Sequence, residues 1–375
     1  MNTASPHCRS PKVAVVGTGM IGRIHARSAL ASGAELAGIV GSTPQRGIEI
    51  AQSWGVEALG TLTDVLADPT IDVVHLCTPN TLHFEQASAV IAAGKHVICE
   101  KPLAVTVDDA ALLANQAAEA GVVATVPFVY RYHPLVREIR ARRIAGEFGD
   151  LQLVHGSYLQ DWLLAETAYN WRLDHRLGGA SRAFADIGSH WCDLVEWVTG
   201  LEFELVMSKL QTTQTNRSVS DPVSGVTTRH HIETEDVATV LLQSTQGTLA
   251  STVISQVSPG RKNRLWFQLD GSKASAVFDQ ENPESIWLGA QEESRIFVRD
   301  PGVGSAEQRR LSVLPAGHAQ GYAQCFDAFV RDTYAAVAGA TPEGLPTFED
   351  GLRSARIVDA VLTSNQSEQW TKVYT

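Results

Sequence analysis

Cysteine is scarce: the 375 residues include 5, at Cys8, Cys77, Cys99, Cys192 and Cys325. The number is odd and no two are spaced C-x-x-C, which excludes a disulfide framework and a zinc ribbon. Long apolar runs are missing as well. None approaches the about 20 residues needed to cross a bilayer, and the stretch from Met1 to Lys12 is too polar for a secretory signal. Positive charge is in deficit, with 30 Lys and Arg against 41 Asp and Glu and a formal net charge of −11. Such a chain repels phosphate backbones and anionic lipid, so neither nucleic acid nor a membrane surface is expected as a partner. Repeats and low-complexity tracts are absent, and 44% hydrophobic with 19% charged residues excludes disorder and coiled coil. A reduced, cytoplasmic enzyme or binding protein remains, and at about 150 residues per domain the length suggests two domains.

Strand and helix patterns alternate through the first third. Val13-Ala14-Val15-Val16, Glu35 to Val40, Asp72 to Leu76, His96 to Cys99 and Val122 to Phe128 read as strands. Between them Met20 to Ala31, Pro44 to Ser53, Thr81 to Ala93 and Val107 to Ala120 have helical period. This order predicts βαβ units on a parallel sheet covered on both faces. Beyond Tyr130 to Pro134 the runs resemble an antiparallel sheet: Leu151 to Trp162, Phe203 to Thr213, Val237 to Gln243, Thr248 to Val257, Arg264 to Leu269 and Ala274 to Asp279. Hairpin turns are expected near Gln246-Gly247 and at Asp270-Gly271. Asn216 to Thr234 reads as a long polar loop, and Gln320 to Ala338 and Phe348 to Leu362 as closing helices. The expected fold is α/β: a Rossmann domain over residues 1–129, then a substrate and oligomerisation domain over 130–375 with a large, mostly antiparallel open sheet. The C-terminal helices are expected to pack back on the first domain.

Gly17-Thr18-Gly19-Met20-Ile21-Gly22 fits G-x-G-x-x-G between the first strand and first helix. In that setting the first glycine permits a tight turn, the second lets a pyrophosphate reach the backbone, and the third allows close helix packing. Free N–H groups and the helix dipole then attract the anion. After the second strand an acid would favour NAD by bonding the ribose hydroxyls. This chain instead has Gly41, Ser42, Thr43 and Arg46. Two hydroxyls and an arginine lean toward the 2′-phosphate of NADP(H).

Glu100-Lys101-Pro102 follows directly on a predicted strand, at the edge where parallel sheets bind ligands. An ammonium there can bond a substrate oxygen. Further on, Asp186, His190 and Asp193 are spaced i, i+4, i+7 in a helix running to about Val198, which places all three on one face. A histidine, with a reference pKa of about 6.5, is suited to taking a proton from an alcohol at neutral pH. Arg229-His230-His231 near Glu233, Glu235 and Asp236 lacks fixed ligand geometry and reads as a solvated loop; no metal is expected.

These motifs, with Cys77-Thr78-Pro79-Asn80, His83 and Gly94-Lys95-His96-Val97, occur in the order and spacing of the Gfo/Idh/MocA oxidoreductases. The chain from Lys12 onward resembles that family, whose members include glucose–fructose oxidoreductase and inositol dehydrogenase. The resemblance implies Lys101 as the active-site lysine, His190 as acid/base and Asp186 as its paired aspartate. It implies that Thr78, Pro79, Asn80 and His83 line a dinucleotide, with Glu100 near the nicotinamide end. The region from Tyr158 to Arg172 is similar to sugar-oxidising members. Candidate substrate contacts are Tyr130, Arg131, Gln160, Asp161, Trp162, Trp171, Arg172, His318 and Tyr322: rings for the apolar faces of a sugar, polar groups for its hydroxyls. The expected activity is NAD(P)-dependent hydride transfer at a secondary alcohol or ketone of a sugar or polyol, in a homodimer or homotetramer. Two rival expectations are an NAD-retaining glycosidase or lyase using transient oxidation, and a non-catalytic dinucleotide sensor.

Overall fold

Strands buried on both faces begin the chain. β1 (Lys12–Val16) and β3 (Val73–Leu76) are apolar almost throughout, as the central strands of a parallel sheet must be when helices cover both sides. With β2 (Glu35–Val40), β4 (His96–Cys99) and β5 (Ala124–Thr125) they make a five-stranded parallel sheet ordered β2-β1-β3-β4-β5. The connecting helices are α1 (Met20–Ala31), α2 (Pro44–Trp54), α3 (Leu62–Ala67), α4 (His83–Ala92) and α5 (Val107–Ala120). The structure, a computed structural model, describes residues 10–220 and 226–374. Cys8, residues 1–9 of the polar N-terminal stretch and residues 221–225 of the expected loop lie outside the described residues.

The chain divides into two units. The first holds residues up to Ala104, Asp108–Pro127 and the returning segment Phe326–Gly351; the second holds Val105–Val107, Phe128–Cys325 and the residues from Leu352 onward. The second contains α6 (Pro134–Ile144), β6 (Leu151–Leu159), α7 (His175–Gly178), α8 (Ser189–Thr199), β7 (Phe203–Gln211), β8 (Asn216–Ser220) and β9 (Thr227–His231). It continues with β10 (Val237–Ser244), β11 (Leu249–Ser255), β12 (Arg264–Gly271), β13 (Ser275–Asp279), β14 (Ser285–Gly289), β15 (Ser294–Val298) and α9 (Ala306–Leu311). Two helices, α10 (Tyr322–Val337) and α11 (Phe348–Ser367), cross from one unit to the other along their length, and β16 (Thr371–Lys372) closes the chain.

Nine strands of the second unit form one sheet, ordered β15-β14-β13-β12-β6-β11-β10-β7-β16. Every pairing is antiparallel except β6 with β11. Alternation along β10 and β11 buries Ala238, Val240, Leu242, Ala250 and Ile254 on one face. That face packs with Trp191, Leu194 and Val195 of α8. Gly156 makes room for this contact in mid-strand: a Cβ there would lie 2.6 Å from Nε1 of Trp191, whose N–H donates to the Trp266 carbonyl at 3.0 Å.

Three local expectations need correction. Within the segment read as a polar loop, β8 and β9 pair antiparallel, Asn216 opposite His231; their residues lack the apolar alternation that announces a strand. The second hairpin turns at Ser272-Lys273, with Gly271 N–H bonded to the Ala274 carbonyl at 3.0 Å, and Asp270-Gly271 lies inside β12. Gly271 serves close approach instead of turn geometry, because a Cβ there would stand 2.0 Å from the Phe148 carbonyl oxygen. The run from Val122 to Phe128 supplies only the short β5.

Candidate active site

In the first unit, each glycine of the first turn has its own steric reason. Gly17 has φ +105°, and a Cβ on it would meet the Cys77 carbonyl oxygen at 2.4 Å. On Gly22 a Cβ would fall 2.0 Å from the Gly17 carbonyl oxygen, so α1 lies tight against the turn. Around Gly19 a Cβ would meet nothing within 4 Å. Gly19 also opens α1 without a side-chain cap, leaving the first-turn N–H groups unclaimed by a capping side chain. Open space before uncapped donors at the positive end of a 12-residue helix fits a pyrophosphate. Met20 is exposed at that end, while Ile21 packs into the core beneath.

Gly41 tolerates no side chain. A Cβ there would stand 2.5 Å from the Gly47 nitrogen in α2, which explains sterically why no acid occupies the position. Ser42, Thr43 and Arg46 are exposed beside it. Thr43 caps α2, its hydroxyl accepting the Arg46 backbone N–H at 3.2 Å, and the Arg46 guanidinium donates to Glu49 at 3.1 Å.

At the carboxyl ends of β3 and β4, buried His83 clamps two loops. Its Nδ1 lies 2.7 Å from the Pro102 carbonyl and its Nε2 3.0 Å from that of Thr78. Burial pushes its pKa down, partly opposed by those two carbonyls. The Thr78 hydroxyl donates to Gln86 at 2.6 Å, and Pro79 leads into a helical turn from Asn80 to Leu82. Lys101 is half-buried one residue beyond the buried Glu100, whose Oε2 accepts the Lys101 backbone N–H at 3.1 Å.

The second unit carries the other half of the set. Residues Phe184–Gly188 form a π-turn, after which α8 begins at Ser189. The wider turn breaks the α-helical i, i+4, i+7 face expected for Asp186, His190 and Asp193. Asp193 is turned to Arg131, which donates from Nε at 2.9 Å and also from Nη2, with both side chains buried. His190 is 8% exposed within rings of Phe128, Tyr130 and Tyr158, whose centroids lie 5.6, 5.0 and 6.4 Å away. Asp186 is half-buried; Oδ2 accepts from Gln256 Nε2 at 2.8 Å, and Oδ1 lies 3.5 Å from Arg172 Nε. The Arg172 guanidinium in turn stacks over Trp171.

A closed ring of hydrogen bonds lies beside His190. Asn263 Nδ2 donates to Tyr130 at 3.2 Å, Tyr130 to the Tyr158 oxygen, and Tyr158 to Asn263 Oδ1 at 2.7 Å. Burial raises both phenols, Tyr130 to about 12, so both stay protonated donors. Gln160 joins at Asn263 Oδ1 (2.8 Å) and receives Trp162 Nε1–H at 2.8 Å. Tyr322 leans on Tyr130 with centroids 6.0 Å apart. Asp161 is bound to Lys262 at 2.6 Å, which holds its pKa low. His318 sits on an exposed loop whose carbonyl accepts from Arg299 at 2.8 Å. Asn263 and Gln256 were not candidates from sequence, since neither belongs to a spaced motif.

Two family models match the chain: residues 11–128 match the oxidoreductase family with an NAD-binding Rossmann fold, and 136–277 match the Gfo/Idh/MocA C-terminal domain. The chain belongs to the Gfo/Idh/MocA oxidoreductase family. It is an NAD(P)-dependent oxidoreductase of that family. Levoglucosan dehydrogenase of Pseudarthrobacter phenanthrenivorans is 29% identical, the match covering 89% of this chain and 88% of the relative. Among solved structures, an oxidoreductase domain protein from Kribbella flavida is 30% identical with TM-score 0.89, covering 98% of this chain and all of that one. A levoglucosan dehydrogenase solved with NADH and levoglucosan has TM-score 0.89 at 27% identity, covering 98% of this chain and all of that one. Among the described residues no helix is long and apolar enough to cross a membrane.

Proposed function

We propose that this enzyme carries hydride between the nicotinamide of NAD(P) and a secondary alcohol or ketone carbon of a sugar, polyol or sugar derivative. Bound nicotinamide supplies the two-electron chemistry. The turn from Gly17 to Gly22 holds the pyrophosphate on backbone N–H groups, and Thr78, Pro79, Asn80, His83 and Glu100 border the nicotinamide side. Central to the proposal is His190, nearly buried among three aromatic rings beside the Tyr130–Tyr158–Asn263 ring. Its imidazole takes the hydroxyl proton during oxidation and returns it during reduction. Lys101 donates a hydrogen bond to the same oxygen, where negative charge grows. Asp186 orients the imidazole or bonds a neighbouring hydroxyl. Trp162, Trp171 and Tyr322 offer apolar faces; Gln160, Asp161, Arg172 and His318 are the polar candidates, while Arg131 is held by Asp193. That relatives were solved with levoglucosan and with L-sorbose supports a sugar substrate.

The cofactor preference leans to NADP(H), because Gly41 excludes a side chain while Ser42, Thr43 and Arg46 stand exposed. A homodimer or homotetramer is supported by the open sheet face, where Leu153, Leu241, Leu249 and Val253 are all at least 39% exposed. A cytoplasmic location agrees with the free cysteines. Assaying polyols, aldoses, anhydrosugars and glycosides with both dinucleotides tests the reaction. A rise in NAD(P)H absorbance matching product is expected. Cleaved glycoside without net reduction would replace the dehydrogenase with an NAD-retaining lyase or glycosidase, and binding without turnover would leave a sensor.

A further inference from the structure

The first unit contains a continuous interior chain of polar side chains, three of which the proposed reaction does not use, ending on Glu100. Tyr334 Oη lies 2.9 Å from His75 Nε2, His75 Nδ1 lies 2.9 Å from His25 Nδ1, and His25 Nε2 lies 3.1 Å from Glu100 Oε1. The two histidines are fully buried, and Glu100 and Tyr334 are 7% and 6% exposed. Their residues come from α1, β3, the end of β4 and α10, so no sequence spacing announces them. Phe326 meets the His25 ring at a centroid distance of 4.7 Å, edge to face.

The direction of each bond follows from the phenol. Among the described residues His75 Nε2 is the one hydrogen-bond partner of the buried Tyr334 hydroxyl, which burial keeps protonated, so its O–H donates there. Burial pushes His75 well below the ordinary range, so that ring is neutral and has a single N–H. With Nε2 accepting, the proton is on Nδ1 and points at His25. His25 Nδ1 must then accept, which leaves the His25 proton on Nε2, aimed at the carboxylate. The other titratable groups around Glu100 are Cys77, Cys99, His83 and Lys101. Burial pushes both thiols up, leaving them neutral, and pushes His83 down against the two carbonyls that face it.

We propose that Tyr334, His75 and His25 are positioning residues that present one neutral N–H to Glu100 and so fix its carboxylate beside Lys101. The functional consequence rests on the placement of Glu100 and Lys101 at the nicotinamide under the proposed function; the tautomers do not.

Nitrogen-15 NMR of the full chain, with histidines assigned through His25→Gln and His75→Gln, tests this directly. At neutral pH, without cofactor, His25 is expected as the Nε2–H tautomer alone and His75 as the Nδ1–H tautomer alone. Reversed tautomers, or an imidazolium at His25, overturn the proposal, and this arm needs no variant to fold at Tyr334. Tyr334→Phe removes the donor that sets the direction. His25 is then expected to lose its single-tautomer signal, and NADH affinity to fall about tenfold with the circular dichroism spectrum intact. A variant that keeps the tautomer or the affinity overturns it. Should the tautomers and the affinity loss appear while the wild type oxidises no sugar or polyol, the assigned reaction fails and the positioning chain stands.

Discussion

Gln256 donates from Nε2 to Oδ2 of Asp186 at 2.8 Å while its Oε1 accepts from Arg182 Nη1 at 3.0 Å. Arg182 is paired with Asp236, with neither side chain exposed to solvent. Arg217, also buried, lies 3.5 Å from the same carboxylate and donates to the carbonyls of Leu163, Ala165 and Ala168. One buried cluster thus holds both the candidate aspartate and the loop that follows Trp162.

Replacing Gln256 by Leu severs that link and leaves part of Arg182 without its acceptor. Turnover is expected to fall about tenfold, while NADH affinity, set in the first unit, is unchanged. Steady-state kinetics with fluorescence titration of NADH checks the split; an equal loss in both would count against Gln256 acting through Asp186.

His190→Ala removes the proposed proton acceptor. The expected loss in kcat is on the order of a hundredfold to ten-thousandfold, again with dinucleotide binding retained. Wild-type rates on the correct substrate would refute the assignment.

Two substitutions address cofactor choice. Arg46→Ala is expected to weaken NADP(H) binding by several-fold more than NAD(H) binding, since an exposed guanidinium–phosphate contact contributes roughly 1 kcal/mol. Gly41→Asp inserts an acid where NAD-specific sites have one, yet its Cβ would collide with the Gly47 nitrogen. Destabilisation by about 1–3 kcal/mol is expected in place of improved NAD binding, measured by chemical denaturation and isothermal titration.

Asp236 gives the acid limb of stability. Burial alone would push its carboxyl up, but Arg182 and hydrogen bonds from Gln214 and Thr213 outweigh this and hold it below the ordinary range. A depressed folded pKa contributes stability that is present above the unfolded value of about 3.9 and is lost as pH falls through the folded one. Asp236→Asn is therefore expected to lower the unfolding free energy by about 3–5 kcal/mol near neutrality, leaving Arg182 buried without its counter-charge. The gap between variant and wild type should narrow below about pH 4. Denaturant titrations across pH measure both.

The sequence read well where one local period decides the outcome. The β1, turn, α1 unit shows its glycines and its buried strand directly, and Lys101 follows a strand whose end is plain from His96 to Cys99. It read poorly where tertiary contacts decide. On an ideal helix Asp186, His190 and Asp193 share a face, but the π-turn at Phe184–Gly188 shifts Asp186 from it and the distant Arg131 binds Asp193. Thr227 to His231 carries no strand signal, yet it pairs with β8, and Arg217 in that strand is bonded to the loop carbonyls. Asn263, Gln256, His25 and His75 act through partners 50 to 259 positions away, a separation that no window of sequence spans.

The returning segment Phe326–Gly351 has a consequence for biosynthesis. A nascent chain that has emerged only as far as Pro127 still lacks Tyr334, the partner of His75, and Asp327, which binds Arg27 and Ser28. Domains commonly fold in order as they leave the ribosome, at about 5–20 residues per second. Here the dinucleotide half must wait, partly assembled, while nearly all of its successor is translated.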